Sequence, residues 1–202
     1  MALTIENHVY REGEGIPLIL VHGFPVDHRM WDQCAIALME MSDAQECTQY
    51  PIWAPDMPGA GASPVPRLED SGARAEDGAL PDALDLMADA YVDLLHAAGY
   101  GQAIWAGLSM GGYLVLDVQR RHPEAVAGMA LLDTKGDADA PASRAHRIEI
   151  AHECVQWHTT DPVMFFTEVQ PGDPPSNSPR NTSANSPHGS ANSSRRGSHG
   201  VN

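Results

Sequence analysis

Cysteine is scarce in this chain, with three residues in 202 and no CxxC pair. An odd number of separated cysteines argues against a disulfide framework and a cysteine zinc site, and is typical of a reducing compartment. No apolar run approaches the roughly 18 residues of a transmembrane helix. The N-terminus shows no basic segment followed by an apolar one, so we expect no secretory signal. These absences predict a cytoplasmic protein with no membrane attachment.

Basic residues are also few, because Lys and Arg number 12 against 27 Asp and Glu, a net charge of −15. A chain this acidic lacks the positive electrostatic field that attracts nucleic acids and anionic membranes, so we expect neither as a partner. The charge is unevenly spread: residues 1–170 carry −17, whereas residues 171–202 carry +2.

Apolar side chains nearly disappear after residue 170. Residues 171–202 contain eight Ser, five Asn, five Pro and four Gly. A segment of this composition cannot bury enough surface to offset its ordering entropy, so we predict a disordered, low-complexity tail. Residues 1–170 then remain to build the fold, which is enough for a sizeable core.

Apolar runs and helical periodicities alternate along those residues. Strand-like segments cover residues 3–10, 16–21, 52–54, 102–106 and 126–132. Helix-like segments cover residues 28–41, 82–98, 110–121 and 141–156. The alternation predicts an α/β fold with a mostly parallel sheet and helices on both faces. In the first helix, the stripe predicted to face the core is Met30, Trp31, Cys34, Ala37, Leu38 and Met41.

The sequence GLSMG at residues 107–111 matches the G-x-S-x-G pattern. It lies between a strand-like and a helix-like segment, the context of a nucleophile elbow. Such a turn lifts a serine hydroxyl clear of the sheet, and the small glycines on either side avoid clashes with strand and helix. The pattern therefore makes Ser109 a candidate nucleophile, with the start of the next helix directing free N–H groups toward it.

Two more motifs follow predicted strands. HGFP begins at His22, and its turn can offer a backbone N–H that would join the Met110 N–H as an oxyanion donor. DMPGAGAS begins at Asp56, which we expect to brace the loop after its strand. We interpret His22 as a structural hydrogen-bonding residue rather than a general base. Both motifs fall at the carboxyl edge of a parallel sheet, where ligands bind.

Four segments together resemble the α/β-hydrolase fold family: HGFPVDHRMW, APDMPGAGASP, GLSMGGY and LLDTKGDAD. The likeness covers residues 3–168 and is greatest to small esterases, enol-lactonases and haloperoxidase-like members. It implies Ser109 as nucleophile and the N–H groups of Phe24 and Met110 as the oxyanion hole, with no metal or organic cofactor. Dehalogenase and epoxide hydrolase relatives use an Asp nucleophile, so Ser109 argues against those reactions.

The family pattern also implies an acid and a histidine after the nucleophile, and the sequence stops matching before they are reached. Residues 1–140 resemble the N-terminal part of the core, and residues 141–170 resemble the opening of a helical cap. We interpret the chain as C-terminally truncated, with a frameshift, premature stop or wrong exon as the hypothesis. Asp133 is the candidate acid, although a residue at this place more often opens a turn. His188 and His199 lie in the predicted tail, where nothing packs around them.

The predicted function is hydrolysis of a small carboxylic ester, lactone or similar acyl substrate through an acyl-enzyme. We expect it to be impaired because the acid and histidine of the triad are missing. The alternative is a non-catalytic fragment or a ligand-binding pseudoenzyme. Acyl transfer, perhydrolysis and C–C hydrolysis on the same serine stay open, because cap residues select among these reactions. The expected partner is a small-molecule acyl substrate, and the sequence leaves its identity and the oligomeric state open.

Overall fold

The structure, a computed structural model, describes residues 3–47, 49–76 and 78–157. The strands are β1 (Asn7–Arg11), β2 (Leu18–Val21), β3 (Ile52–Pro55), β4 (Ala103–Leu108) and β5 (Val126–Leu132). The α-helices are α1 (Asp32–Ala44), α2 (Ala83–Ala97), α3 (Met110–Arg121) and α4 (Pro141–Trp157). Short 3-10 turns lie before α1, before α2 and before β5 (His28–Trp31, Leu68–Asp70, Pro123–Ala125). Strands and helices follow one another in the predicted order.

The strands form one sheet in the order β1-β3-β2-β4-β5. β1 pairs antiparallel with β3, and the other three pairs are parallel, which confirms the predicted α/β class. From β2 the chain passes to β3 on one side and then returns to place β4 on the other side. The loops after β2 and β4 therefore diverge at a topological switch point, where open α/β sheets form a ligand crevice.

The core has two layers because successive strand residues point to opposite faces of the sheet. Ile19 and Val21 of β2 face α2 and α3, whereas Leu20 between them faces α1. The indoles of Trp31 and Trp105 are buried, one in each layer, as the sequence predicts. Helices therefore cover both faces of the sheet and hold its carboxyl edge in place.

The predicted core stripe of the first helix is partly wrong. Cys34, Ala37 and Met41 are exposed, and the buried residues of α1 are Ala35 and Ser42. The helix itself is also shorter at its start, because residues 28–31 form a 3-10 turn. Small side chains let the helix backbone approach the sheet closely. The periodicity of apolar residues does not show which positions of the helix need a small side chain.

One edge of the sheet carries exposed apolar side chains. Within the described residues β5 pairs with β4 alone, and Met129, Leu131 and Leu132 on it are 38–44% exposed. Helix α4 buries none of its residues, and Val155 and Trp157 on it are largely exposed. The described core therefore leaves the β5 edge of its sheet open.

Within the described residues no helix is both long enough and apolar enough to cross a bilayer. The predicted cap opening is described as far as Trp157. The rest of that segment, and the tail predicted for residues 171–202, lie outside the described residues.

Candidate active site

Three parallel strands end level with one another. Pairing joins Val21 of β2 to Gly107 of β4, and Leu108 of β4 to Leu132 of β5. The residues that follow these strands therefore lie at one edge of the sheet. They include three that the sequence analysis singled out, namely His22, Ser109 and Asp133.

Ser109 occupies a strained turn between β4 and α3. Its backbone has φ 52° and ψ −114°, a conformation that costs a non-glycine residue about 1–3 kcal/mol. The turn is held by the Ser109 N–H, which donates to the Leu132 carbonyl at 3.0 Å, and by the Ser109 carbonyl, which accepts from Gly112 N–H at 3.0 Å. Within the described residues the Ser109 hydroxyl makes no hydrogen bond. The hydroxyl is therefore free to donate a hydrogen bond to a base.

Two glycines flanking Ser109 are required by close packing. A Cβ on Gly107 would collide with the backbone carbonyl of Gly111, and a Cβ on Gly111 would collide with the Val21 carbonyl. β2, β4 and the first turn of α3 therefore meet with no room for a side chain. This contact fixes Ser109 against the end of β2 and confirms the steric interpretation of the G-x-S-x-G pattern.

The turn after β2 lies against Ser109. A Cβ built on Gly23 would be 3.4 Å from the Ser109 Cβ and 3.3 Å from the Leu108 carbonyl oxygen. The next residue, Phe24, has a half-exposed ring and a cis bond to Pro25. Met110 is the first residue of α3, so its N–H has no partner within the helix. In the described part of the chain neither the Phe24 nor the Met110 amide donates a hydrogen bond.

His22 is a buried structural residue, as the sequence predicts. Its Nε2 accepts the Met57 N–H at 2.8 Å, so the ring proton lies on Nδ1, which donates to the Gly23 carbonyl at 2.8 Å. Burial lowers the pKa of His22 below its ordinary value, which keeps the ring neutral at pH 7. Both nitrogens are used, so His22 joins two loops and has no lone pair left for Ser109.

Asp56 braces the loop after β3, also as predicted. Its side chain is 2% exposed and accepts hydrogen bonds from the N–H groups of Ala62 at 2.9 Å and His28 at 2.8 Å. The His28 ring adds a contact from Nδ1 at 2.9 Å. Burial alone would raise the pKa of Asp56, but these hydrogen bonds outweigh it and lower the pKa. The carboxylate therefore fixes the loops after β2 and β3 to each other.

These loops enclose a cavity of about 230 Å³. It is lined by residues 22–27 after β2, residues 57–61 after β3, and Met110. Both amides proposed by resemblance as oxyanion donors thus belong to residues that line the same cavity. Its position beside the strained serine makes this edge of the sheet the candidate active site.

Comparison with known proteins agrees with this geometry. Residues 16–163 match the family model described as the alpha/beta hydrolase fold. The chain belongs to the α/β-hydrolase fold family.

Two curated members of this family show how far the likeness extends. The chain is 30% identical over 133 residues to lipase LipV of Mycobacterium tuberculosis, covering 65% of this chain and 42% of that protein. It is 28% identical over 150 residues to the (E)-2-((N-methylformamido)methylene)succinate hydrolase of Acinetobacter baylyi, covering 72% and 49%. The chain therefore spans about half the length of the curated relatives it matches.

A solved α/β-hydrolase structure gives the same extent. The malate-bound thermophilic esterase from Thermogutta terrifontis superposes with a TM-score of 0.54 at 29% sequence identity. The alignment covers 75% of this chain and 47% of the esterase. Sequence and structure comparisons thus agree on the family, and in both the chain covers about half the length of the protein it matches.

Within the described residues of this α/β-hydrolase no histidine hydrogen-bonds to Ser109. His22 is fully occupied, and His188 and His199 lie outside the described residues. Asp133 follows β5 with φ 42° and is exposed. In the described part of the chain its carboxylate makes no hydrogen bond or ion pair. The role of Asp133 as the triad acid stays a prediction.

One positioning residue was missed by the sequence analysis. Thr134, which follows Asp133, donates its hydroxyl to the Ser109 carbonyl at 2.8 Å, and its side chain packs on Gly112. Thr134 therefore supports the strained turn from the side of β5. The sequence shows only that Thr134 comes soon after a predicted strand. The pairing of β5 with β4 is what brings Thr134 to Ser109.

A second cluster was also missed. Asp27, His28 and Asp56 place potential ligand atoms within 4.8 Å of one another. The Arg29 guanidinium donates two hydrogen bonds to the Asp27 carboxylate, at 2.6 and 2.8 Å. This pairing outweighs the effect of burial and lowers the pKa of Asp27 to about 2. Since the backbone and His28 occupy Asp56, we interpret the cluster as a hydrogen-bonded brace. The predicted absence of a metal stays a prediction.

We expect Asp56→Asn to destabilise the fold by about 2–4 kcal/mol, because an amide offers one acceptor oxygen to donors that surround a carboxylate. The folded-state pKa of Asp56 is lowered, so the stability it contributes is present at neutral pH and is lost as the pH falls below about 4. Urea unfolding at pH 7 and at pH 3 measures both effects. The exposed Asp137→Asn is the matched control, and equal losses in the two variants would contradict the assignment.

Proposed function

We propose that this α/β-hydrolase chain is a serine hydrolase of small carboxylic esters, lactones or similar acyl compounds. The Ser109 hydroxyl adds to the substrate carbonyl, and the oxyanion that forms is held by the Phe24 and Met110 N–H groups. Collapse of this intermediate expels the alcohol and leaves an acyl group on Ser109. Water then adds to the acyl-enzyme and releases the acid, with no cofactor in the balance.

One observation carries this proposal. A serine with a free hydroxyl sits in a strained conformation beside two backbone amides that have no partner within the described residues. Unpaired amides on residues that line one cavity are a usual arrangement for stabilising an oxyanion, and each donor is worth about 3–4 kcal/mol in a working site. The hydrolase, lipase and esterase names of the relatives support the same reaction class.

The proposal includes impaired catalysis. A general base contributes about 10²–10⁴ in rate, and the described residues supply none to Ser109. The same deficit slows deacylation, because the base that activates serine also activates water. An acyl-enzyme formed on Ser109 should therefore persist longer than in a complete triad.

The test is acylation by p-nitrophenyl acetate, followed by mass spectrometry of peptides. We expect one acetyl group on the Ser109 peptide, with p-nitrophenolate released in equal amount. Lys135 is the sole lysine of the chain and is partly exposed, so it reports nonspecific acetylation. Acetylation of Lys135 and the N-terminus without Ser109 would show that the serine is not the nucleophile.

A second candidate function is ligand binding without turnover. The observation that favours it is the same missing histidine contact, since the cavity and its two free amides remain usable for binding a carbonyl compound. A pseudoenzyme of this kind would bind an acyl compound at the cavity but leave Ser109 unacylated. The peptide analysis separates the two functions.

A further inference from the structure

The cavity at the active-site edge has an apolar wall on both sides. The turn after β2 contributes Phe24 and Val26, and the turn after β3 contributes Met57, Pro58 and Ala60. Val26 is 38% exposed and lies toward solvent, whereas Met57 is 3% exposed. The cavity therefore runs from an open apolar rim to a buried apolar end.

Charge in this cavity is already neutralised. Its lining contains no Lys or Arg, and its one carboxylate, on Asp27, is paired with Arg29 at 2.6 Å. His22 in the lining uses both ring nitrogens on backbone groups. With the two free amides taken by the carbonyl oxygen, an additional anionic group in the cavity would find no cationic side chain in the lining to pair with, and burying an unpaired charge is costly. A cation would have to compete with Arg29 for Asp27.

The size of the cavity limits what fits. A cavity of about 150 Å³ accepts a six-carbon ring, so the 230 Å³ found here accommodates a chain of roughly four to eight carbon atoms. Phe24 and Met110 both line the cavity, so an acyl group whose carbonyl oxygen is held by their amides borders this space.

We propose that the cavity between the turns after β2 and β3 is the subsite for a short, uncharged acyl chain. The identification of the bound group as an acyl chain rests on the proposed function. Binding in the cavity, however, is measurable without hydrolysis. Substrates with a carboxylate at the far end of the acyl chain are excluded, as are long-chain acyl groups.

The test uses the full chain with ¹³C-methyl methionine and NMR. Met57 and Met110 line the cavity, and the exposed Met41 on α1 is the internal control. The probes are hexanamide, which is neutral, and adipamic acid, which has the same length and a terminal carboxylate. We expect hexanamide to shift the Met57 and Met110 methyl signals but not that of Met41, and adipamate to bind at least about tenfold more weakly.

A substitution that fills the cavity provides a second test. Val26→Trp places a large ring at the rim and should abolish the hexanamide shifts, whereas Val155→Trp, at an exposed position on α4 that does not line the cavity, should leave them unchanged. Equal binding of the two probes, shifts that spread to Met41, or no shift at all would overturn the subsite. Ser109→Ala should keep the shifts, so failed acylation of Ser109 and a failed subsite give different results.

Discussion

We expect Ser109→Ala to abolish covalent labelling of the chain by a fluorophosphonate probe. The probe forms its bond with a serine oxygen, and Ser109 combines a free hydroxyl with a strained turn and two unpaired amides nearby. In the proposed mechanism those amides would also stabilise the phosphoryl oxygen as it gains charge. The expected effect is therefore complete loss of label, measured as stoichiometry by intact-protein mass spectrometry.

The matched control for this prediction is Ser143→Ala, which removes an exposed hydroxyl on α4 and should keep full labelling. The rate of labelling carries separate information. We expect it to be about 10²–10⁴-fold below that of an esterase with a complete triad, the usual contribution of a general base. Labelling as fast as in a complete esterase would show that a residue outside the described range acts as the base.

Gly111→Ala is the substitution with the largest expected effect on stability. Helix propensity alone favours Ala over Gly by about 0.5–1 kcal/mol inside a helix. At Gly111 the new Cβ would meet the Val21 carbonyl and the His22 carbonyl, the latter at 2.6 Å. Backbone atoms cannot rotate away, so α3 must move from β2. We expect a loss of about 3 kcal/mol or more in the free energy of unfolding.

Urea unfolding followed by circular dichroism measures this loss. Gly136→Ala is the control, because a Cβ at Gly136 meets nothing within 4 Å and its φ is not positive. We expect that variant to stay within about 0.5 kcal/mol of the parent chain. A stabilised Gly111→Ala, as propensity predicts, would show that β2 and α3 do not pack as closely as the structure places them.

Local chemistry explains why much of the fold was predictable. The limits of α3 (Met110–Arg121) and β5 (Val126–Leu132) agree with the predicted segments, since Pro123 separates the helix from the strand and the apolar run of the strand ends at Asp133. β4 extends through Leu108, two residues beyond the prediction, because the strand continues until the strained turn at Ser109. The core stripe of α1 was wrong, because closeness to the sheet there depends on Ala35 and Ser42.

The candidate site was predictable where one motif contains its own geometry. Gly107 and Gly111 flank the serine in sequence, so their need to be small follows from the turn itself. The Thr134 hydroxyl bond to the Ser109 carbonyl, in contrast, joins residues 25 positions apart. The brace of Asp56 with His28 spans 28 positions. Neither pairing has a local signature, because each depends on which strands become neighbours.

By itself the sequence determined the α/β class, the mostly parallel sheet, the serine at the end of β4 and the break in composition after residue 170. These follow from periodicity, glycine placement and composition, which are local properties. Only the tertiary structure decided that the turn after β2 rests on Ser109, that His22 is fully occupied, and that an apolar cavity opens beside two unpaired amides. These features arise between segments far apart in the chain, where packing and strand order set the distances.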